Sequence, residues 1–242
     1  MKTKLLHEVR AVKSKKELAN IIKAQRISER VLADALKELR LGVSEIEIDN
    51  FIKKSFVKYG APILSFSPIV SFGKNTANIH HVPGKSELKI GNAIMFDIGC
   101  TVNHYCSDMS RTYFFGKPTK KQEKIYLAVL EVQERVLNKI KKGERRAKVL
   151  DKTARDFLTK RFGKNSFSHG LGHGVGTVIH EWPNLKPKSE DILPVGCVVT
   201  VEPGLYLKNF GGVRIEDVIL ITKDGYKNLT NISKNIESAI LK

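Results

Sequence analysis

Cysteine is scarce in this 242-residue chain. Cys100, Cys106 and Cys197 are all it has, an odd number with no CxxC pair. That excludes a disulfide framework and a thiolate zinc motif, and it fits a reducing compartment. Long apolar runs are missing as well. None approaches the roughly 20 residues needed to cross a bilayer. The first stretch, MKTKLLHEVRAVKSKKEL, is charged throughout and lacks the apolar centre of a signal peptide. The expected location is therefore the cytoplasm, with no membrane contact. Acidic residues are outnumbered, 25 against 42 basic ones, for a net charge of +17. Such an excess raises nucleic acid as a partner. However, the lysines are dispersed, and the densest stretch, residues 139–152, has no interleaved aromatics to stack bases. A basic solvated surface is expected there, not a nucleic-acid face.

What is present is an ordinary globular composition, 41% hydrophobic and 28% charged, with no low-complexity segment or linker. Residues 1–242 therefore read as one domain. Apolar residues at helical spacing predict a helix over residues 15–40, stopped by Gly42. Ser44 with Glu47, and Thr119 with Gln122, form capping boxes for helices over 44–59 and 119–142. A further helix is expected over 147–162. Residues 62–72, broken at Pro68, read as a strand and residues 73–84 as a polar loop. Residues 93–100 and 104–116 read as a strand pair, as do 197–204 and 211–222, followed by a turn and short strand over 224–230.

The most informative stretch is HGLGHGVGTVIHEWP, residues 169–183, with His169, His173 and His180 among alternating glycines. Alternating glycine is poor helix material and lets one backbone pass close to another. Histidines on such a backbone suggest a metal or proton-transfer site.

An internal echo indicates the architecture. His80-x-x-Pro83 is followed by Gly91 and, six residues on, Asp97; His180-x-x-Pro183 is followed by Gly196 and, six residues on, Glu202. Each half turns back through a second carboxylate, Asp108 or Glu216, and each is preceded by two helices. The expected fold class is α+β: two αα-β halves about a pseudo-twofold axis, their strands joined in an antiparallel sheet covered by helices. A hairpin turning between Val102 and Asn103 would oppose Asp97 to Asp108. One turning near Asn209 would oppose Glu202 to Glu216. Four adjacent carboxylates repel unless cations lie between them. With His173 added, the donor set is hard and oxygen-rich. It suits two divalent ions, manganese or cobalt first, with iron or zinc as alternatives. Such a pair activates water and polarises a carbonyl.

The segments FDIG, YCSDMSRT, HGLGHGVG…HEWP, TVEPG and GVRIEDV resemble the pita-bread metallopeptidases, the group of methionine aminopeptidase, aminopeptidase P and prolidase. That resemblance implies that Asp97 binds one metal, that His173 and Glu202 bind the other, and that Asp108 and Glu216 bridge them. It also implies that Glu202 shuttles a proton and that His80 and His180 contact the scissile peptide. His169, the YCSDMSRT run and Arg214 resemble the Xaa-Pro branch, with His169 and Arg214 in the substrate site. The expected function is hydrolysis of an N-terminal Xaa-Pro bond. A methionine aminopeptidase is the alternative, and a non-catalytic binding protein on the same fold the second. The Xaa-Pro peptidases carry an N-terminal domain, and this chain begins about where that domain would end. The expected partner is a peptide substrate, and the expected state a monomer or homodimer. Tyr206 and Trp182 read as core aromatics beside the site motifs.

Overall fold

In the computed structural model, residues 2–241 are described. A short helix, α1 (Lys2–Ala11), opens the chain and was not among the expected elements. Ser14 then starts α2 (Lys15–Lys37). Its hydroxyl accepts from the Glu17 amide while Glu17 reaches back to the Ser14 amide. The helix buries Ile21, Ala24, Ile27, Val31, Leu32 and Ala35, one stripe at helical spacing. Each large apolar side chain so buried contributes about 1.5–3 kcal/mol relative to exposure. The Ser44–Glu47 box starts α3 (Glu45–Lys58), and Gly60, at φ +76°, turns the chain away from it. α3 packs on α2.

Five strands follow: β1 (Ile69–Phe72), β2 (Ala93–Asp97), β3 (Thr101–Val102), β4 (Tyr105–Cys106) and β5 (Ser110–Phe115). The first strand starts only after Pro68, and the expected loop beyond it includes a 3-10 turn over Gly73–Ala77. β2 lies antiparallel between β1 and β5. The turn of this hairpin is Asn103–His104, both at positive φ (47° and 70°). It is centred one residue later than expected, which moves every pairing by two. Asp97 therefore faces Ser110, not Asp108. A two-residue shift preserves the face, so both carboxylates still point to the same side.

The second half repeats the plan. The Thr119–Gln122 capping box starts α4 (Lys120–Lys141), which packs on α5 (Ala147–Phe162). The strands are β6 (Gly172–Gly174), β7 (Glu181–Leu185), β8 (Val198–Val201), β9 (Gly204–Leu207), β10 (Gly211–Arg214), β11 (Asp217–Thr222) and β12 (Gly225–Asn228). The last short elements are α6 (Ile236–Ala239) and β13 (Ile240–Leu241), which runs parallel to β5.

The fold class is α+β, as expected, with its sheet divided into ladders. Four strands run in the order β1-β2-β5-β13 and five in the order β12-β11-β8-β6-β7, while β3–β4 and β9–β10 extend as separate hairpins. The interruptions fall at the carboxylates. Chain pairing passes through Glu202–Pro203 and Ile215–Glu216, where Pro203 has no amide hydrogen to donate. At the seam between the halves, the Glu216 amide donates to the Ser110 carbonyl at 3.1 Å. The Thr112 hydroxyl also accepts from the Arg214 amide and donates to its carbonyl. Among the described residues, no helix is long and apolar enough to cross a membrane.

Candidate metal centre and active site

A cavity of about 610 Å³ opens at that seam, lined among others by Asp97, Asp108, His173, Glu202 and Glu216. Asp97 ends β2, and Asp108 stands at the bend before β5. Glu202 follows β8 and Glu216 precedes β11, one directly across from the other as the hairpin register requires.

His173 is brought among them by β6. Its neighbour Gly172 is obligatory there, because a Cβ would collide with the Thr200 carbonyl. The same Thr200 accepts from the His173 amide at 3.0 Å and donates to Glu202 Oε1 at 3.1 Å, so one hydroxyl aligns both side chains. Nδ1 of His173 lies 3.1 Å from the Gly174 carbonyl, which fixes the proton on that nitrogen in the neutral ring. The Nε2 lone pair then faces two carboxylates, Glu202 Oε1 at 3.3 Å and Asp108 Oδ2 at 3.5 Å.

Three acceptors converging in this way need a cation or a proton between them. Asp108, His173 and Glu216 each offer a ligand atom within 4.8 Å of the others. Asp97 Oδ1 and Glu216 Oε1 are buried without any hydrogen-bond partner, which is costly for a carboxylate unless an ion satisfies it. The charge environment agrees. Burial, then the charges of Glu216, Asp97 and Glu202, hold the Asp108 carboxyl well above its ordinary range. Burial, then Glu202 and Asp97, do the same to Glu216. Burial also raises Asp97, against the pull of Arg214. Burial acts on Glu202 too, but His173, His169 and Arg214 outweigh it and bring its carboxyl to about 2. The donor set thus fits divalent cations: oxygen-rich, one imidazole, no thiolate.

A second network holds the wall. Arg214 is 3% exposed, and each of its three nitrogens donates within the protein: Nε to Ser110 Oγ at 2.7 Å, Nη1 to Tyr206 at 3.0 Å and Nη2 to Asp97 at 2.6 Å. The Ser110 hydroxyl in turn donates to Glu216 Oε2 at 2.8 Å. Tyr206 lies 2.8 Å from His169 Nε2, whose Nδ1 lies 2.7 Å from the Gly170 carbonyl. Both His169 nitrogens are thereby engaged, and burial lowers its pKa. Arg214 and His169, expected at the substrate, line the cavity but bind the protein with their polar atoms. Tyr206, read as a core aromatic, is the hydroxyl that joins them. His80 and His180 stand exposed at the mouth, with the His180 ring 4.3 Å from that of His173. Burial, then the charge of His173, lowers the His180 pKa.

A carboxylate-rich cavity at the seam of two αα-β halves is the arrangement of the pita-bread hydrolases. The chain belongs to metallopeptidase family M24, whose family model matches residues 19–223. An uncharacterized peptidase of Staphylococcus haemolyticus is 37% identical over 229 residues, which cover 95% of this chain and 65% of that protein. The X-Pro aminopeptidase of Thermotoga maritima superimposes with a TM-score of 0.92 at 32% identity, covering 98% of this chain and 67% of that one. The prolidase of Pyrococcus furiosus does so with a TM-score of 0.89 at 36% identity, covering 95% and 68%. The chain thus spans about two thirds of the length of the proteins it resembles.

Proposed function

We propose that residues 1–242 act as one catalytic domain that hydrolyses the N-terminal peptide bond of Xaa-Pro substrates with two divalent metal ions, manganese or cobalt. The observation that carries this reading is the convergence of Asp108, His173 and Glu216 ligand atoms within 4.8 Å, with Asp97 and Glu202 lining the same cavity. The Xaa-Pro peptidases among similar structures support the substrate class.

We assign Asp97, Asp108, His173, Glu202 and Glu216 as the residues that would hold the metal ions. The ions would supply Lewis acidity, lowering the pKa of water and polarising the scissile carbonyl. Glu202, ionised at neutral pH and aligned by Thr200, takes a proton from the attacking water and delivers it to the leaving nitrogen. The water oxygen bonds to the carbonyl carbon as the C–N bond breaks. His80 and His180, at the mouth, donate to the substrate as negative charge develops on its oxygen. Proline after the scissile bond has no amide hydrogen, so support must come from such side-chain donors and from shape. Arg214 and His169 act through the wall, by holding Asp97 and Tyr206.

The test compares kcat/KM for an Xaa-Pro peptide with that for Met-Ala-Ser under the same metal. Faster release of methionine would place the chain with the methionine aminopeptidases. No cleavage of either by metal-loaded protein would favour a binding role.

A further inference from the structure

A second depression, of about 970 Å³, adjoins the catalytic cavity. His81 lines both, and Ser168 of the depression immediately precedes His169 of the cavity. Lys74, Lys121, Lys164 and Lys208 line this groove, all exposed. No aspartate or glutamate is among its lining residues. Among the described residues, none of the four lysines makes an ion pair with a carboxylate. Ser166 also lines the groove, 3% exposed, and its hydroxyl has no hydrogen-bond partner.

The junction with the catalytic cavity is built, not incidental. Glu45, fully buried at the start of α3, accepts four hydrogen bonds. They come from the Phe72 amide (2.8 Å), Asn75 Nδ2 (2.8 Å), the Gly84 amide (3.1 Å) and His81 Nε2 (2.7 Å). One buried carboxylate thus holds the whole loop that carries His80 and sets the His81 ring at the boundary. Both oxygens of Glu45 are occupied by these donors, and among the described residues it makes no ion pair with any of the four lysines.

We propose that this groove binds acidic residues of a peptide substrate downstream of the scissile bond. The inference rests on the aminopeptidase reading of the cavity. If the first residue is removed there, any part of the peptide long enough to leave the cavity lies on the carboxyl side of the bond. Four uncompensated lysines favour carboxylates along that path. A nucleic acid fits less well. Of the three aromatics lining the groove, Tyr206 is buried, Phe162 packs partly buried against the core, and Phe210 lies beneath Lys121, whose Nζ is 4.1 Å from the ring centroid, so successive bases meet no row of open rings.

The experiment compares Ala-Pro-Glu-Glu-Glu with Ala-Pro-Ala-Ala-Ala and with the dipeptide Ala-Pro, using metal-loaded protein at low and high salt. The acidic peptide is expected to show a KM lower than the neutral one by roughly fivefold or more at low salt, with the advantage lost at high salt. In Lys164→Glu/Lys208→Glu the ratio of kcat/KM for acidic over neutral peptide falls to one or below. Lys54→Glu/Lys227→Glu, an equal charge change outside the groove, leaves the wild-type ratio in place. Equal KM values, or an acidic preference that survives in the groove variant, would overturn the proposal. So would tighter anisotropy binding of a single-stranded oligonucleotide than of a labelled acidic peptide of equal charge. If no peptide is cleaved, the peptidase reading fails separately. Salt-sensitive binding of the labelled acidic peptide, weakened in the groove variant, then still supports the groove.

Discussion

Arg214 Nη2 donates to Asp97 Oδ2 across 2.6 Å, joining the last residue of β10 to the last residue of β2 and so one half of the fold to the other. The pair is nearly buried, at 3% and 15% side-chain exposure. Removing one member of a buried pair strands the other charge, at a cost of about 3–5 kcal/mol. Arg214→Met is expected to lose stability of that order in urea unfolding. Arg214→Lys keeps the charge but not the three-way donation. It should stay folded and lose kcat/KM by roughly tenfold or more, about 1.4 kcal/mol. Unchanged kinetics in the lysine variant would remove Arg214 from any positioning role.

Tyr206 extends the same connection to His169. Tyr206→Phe deletes one hydroxyl that meets both Arg214 Nη1 and His169 Nε2. Leaving two buried partners short costs about 1–3 kcal/mol. Thermal unfolding should register that loss, and metal content should not change, because Tyr206 makes no side-chain hydrogen bond to any of the five proposed ligands. Metal loss would place the hydroxyl's effect on Asp97 instead.

His180→Ala is expected to lower kcat at least about tenfold while metal content, measured by plasma emission, stays at the wild-type level. The motive is its position: exposed at the cavity mouth, with its ring 4.3 Å from that of His173 by centroid. Loss of metal in this variant would make His180 a ligand.

Gly172→Ala tests the alternating glycines. Its Cβ would meet the carbonyl of Thr200, whose hydroxyl aligns both His173 and Glu202. Backbone cannot yield as a side-chain tip does, so metal affinity should fall together with stability. A variant that binds metal normally would show that this close approach is not what sets the ligands.

The capping boxes at Ser14, Ser44 and Thr119 show how much was legible from local pattern. Two of the three were expected, and both lie where the hydroxyl and the third residue's side chain satisfy free amides at a helix start. The four carboxylates that line the cavity were legible for a different reason, a repeated spacing whose charge needs compensation. Register was only partly legible. Glu202 does face Glu216, but the first hairpin turns at Asn103–His104 and pairs Asp97 with Ser110. Asn103 and His104 both accept positive φ, and nothing in their side chains announced which pair would turn. Tyr206, Ser110, Thr200 and Glu45 were not legible as site residues. Each acts through a partner more than 20 positions away or across a strand pair, and such contacts have no periodic signature.

The last prediction concerns pH and metal together. Asp108 and Glu216 have carboxyls held well above their ordinary range, by burial first and neighbouring charge second. His173 is also raised, since burial lowers it but the Glu202 hydrogen bond and charge prevail. In metal-free protein these groups bind protons more tightly folded than unfolded. Their contribution is therefore full below the unfolded pKa values and is lost as pH rises through the folded ones. Metal binding reverses the trend, because ligation needs deprotonated carboxylates and neutral imidazole. His169, lowered by burial, works the other way: its contribution is lost as pH falls below its unfolded value of about 6.5. Its Nδ1 lies 4.0 Å from Glu202 Oε2, whose charge opposes the lowering, so a cation held by Glu202 would lower it further and act in the same direction as the carboxyls. The difference in unfolding free energy between manganese-loaded and chelated protein should thus widen from about pH 5 to about pH 8, reaching roughly 2.7 kcal/mol at a hundredfold excess over Kd. Asp108→Asn/Glu216→Gln, which removes the two carboxyls held well above their range and leaves Asp97, should make the gap much less steep. A gap that is constant with pH in the parent protein, or equally steep in the variant, would mean that these two carboxylates do not hold the metal.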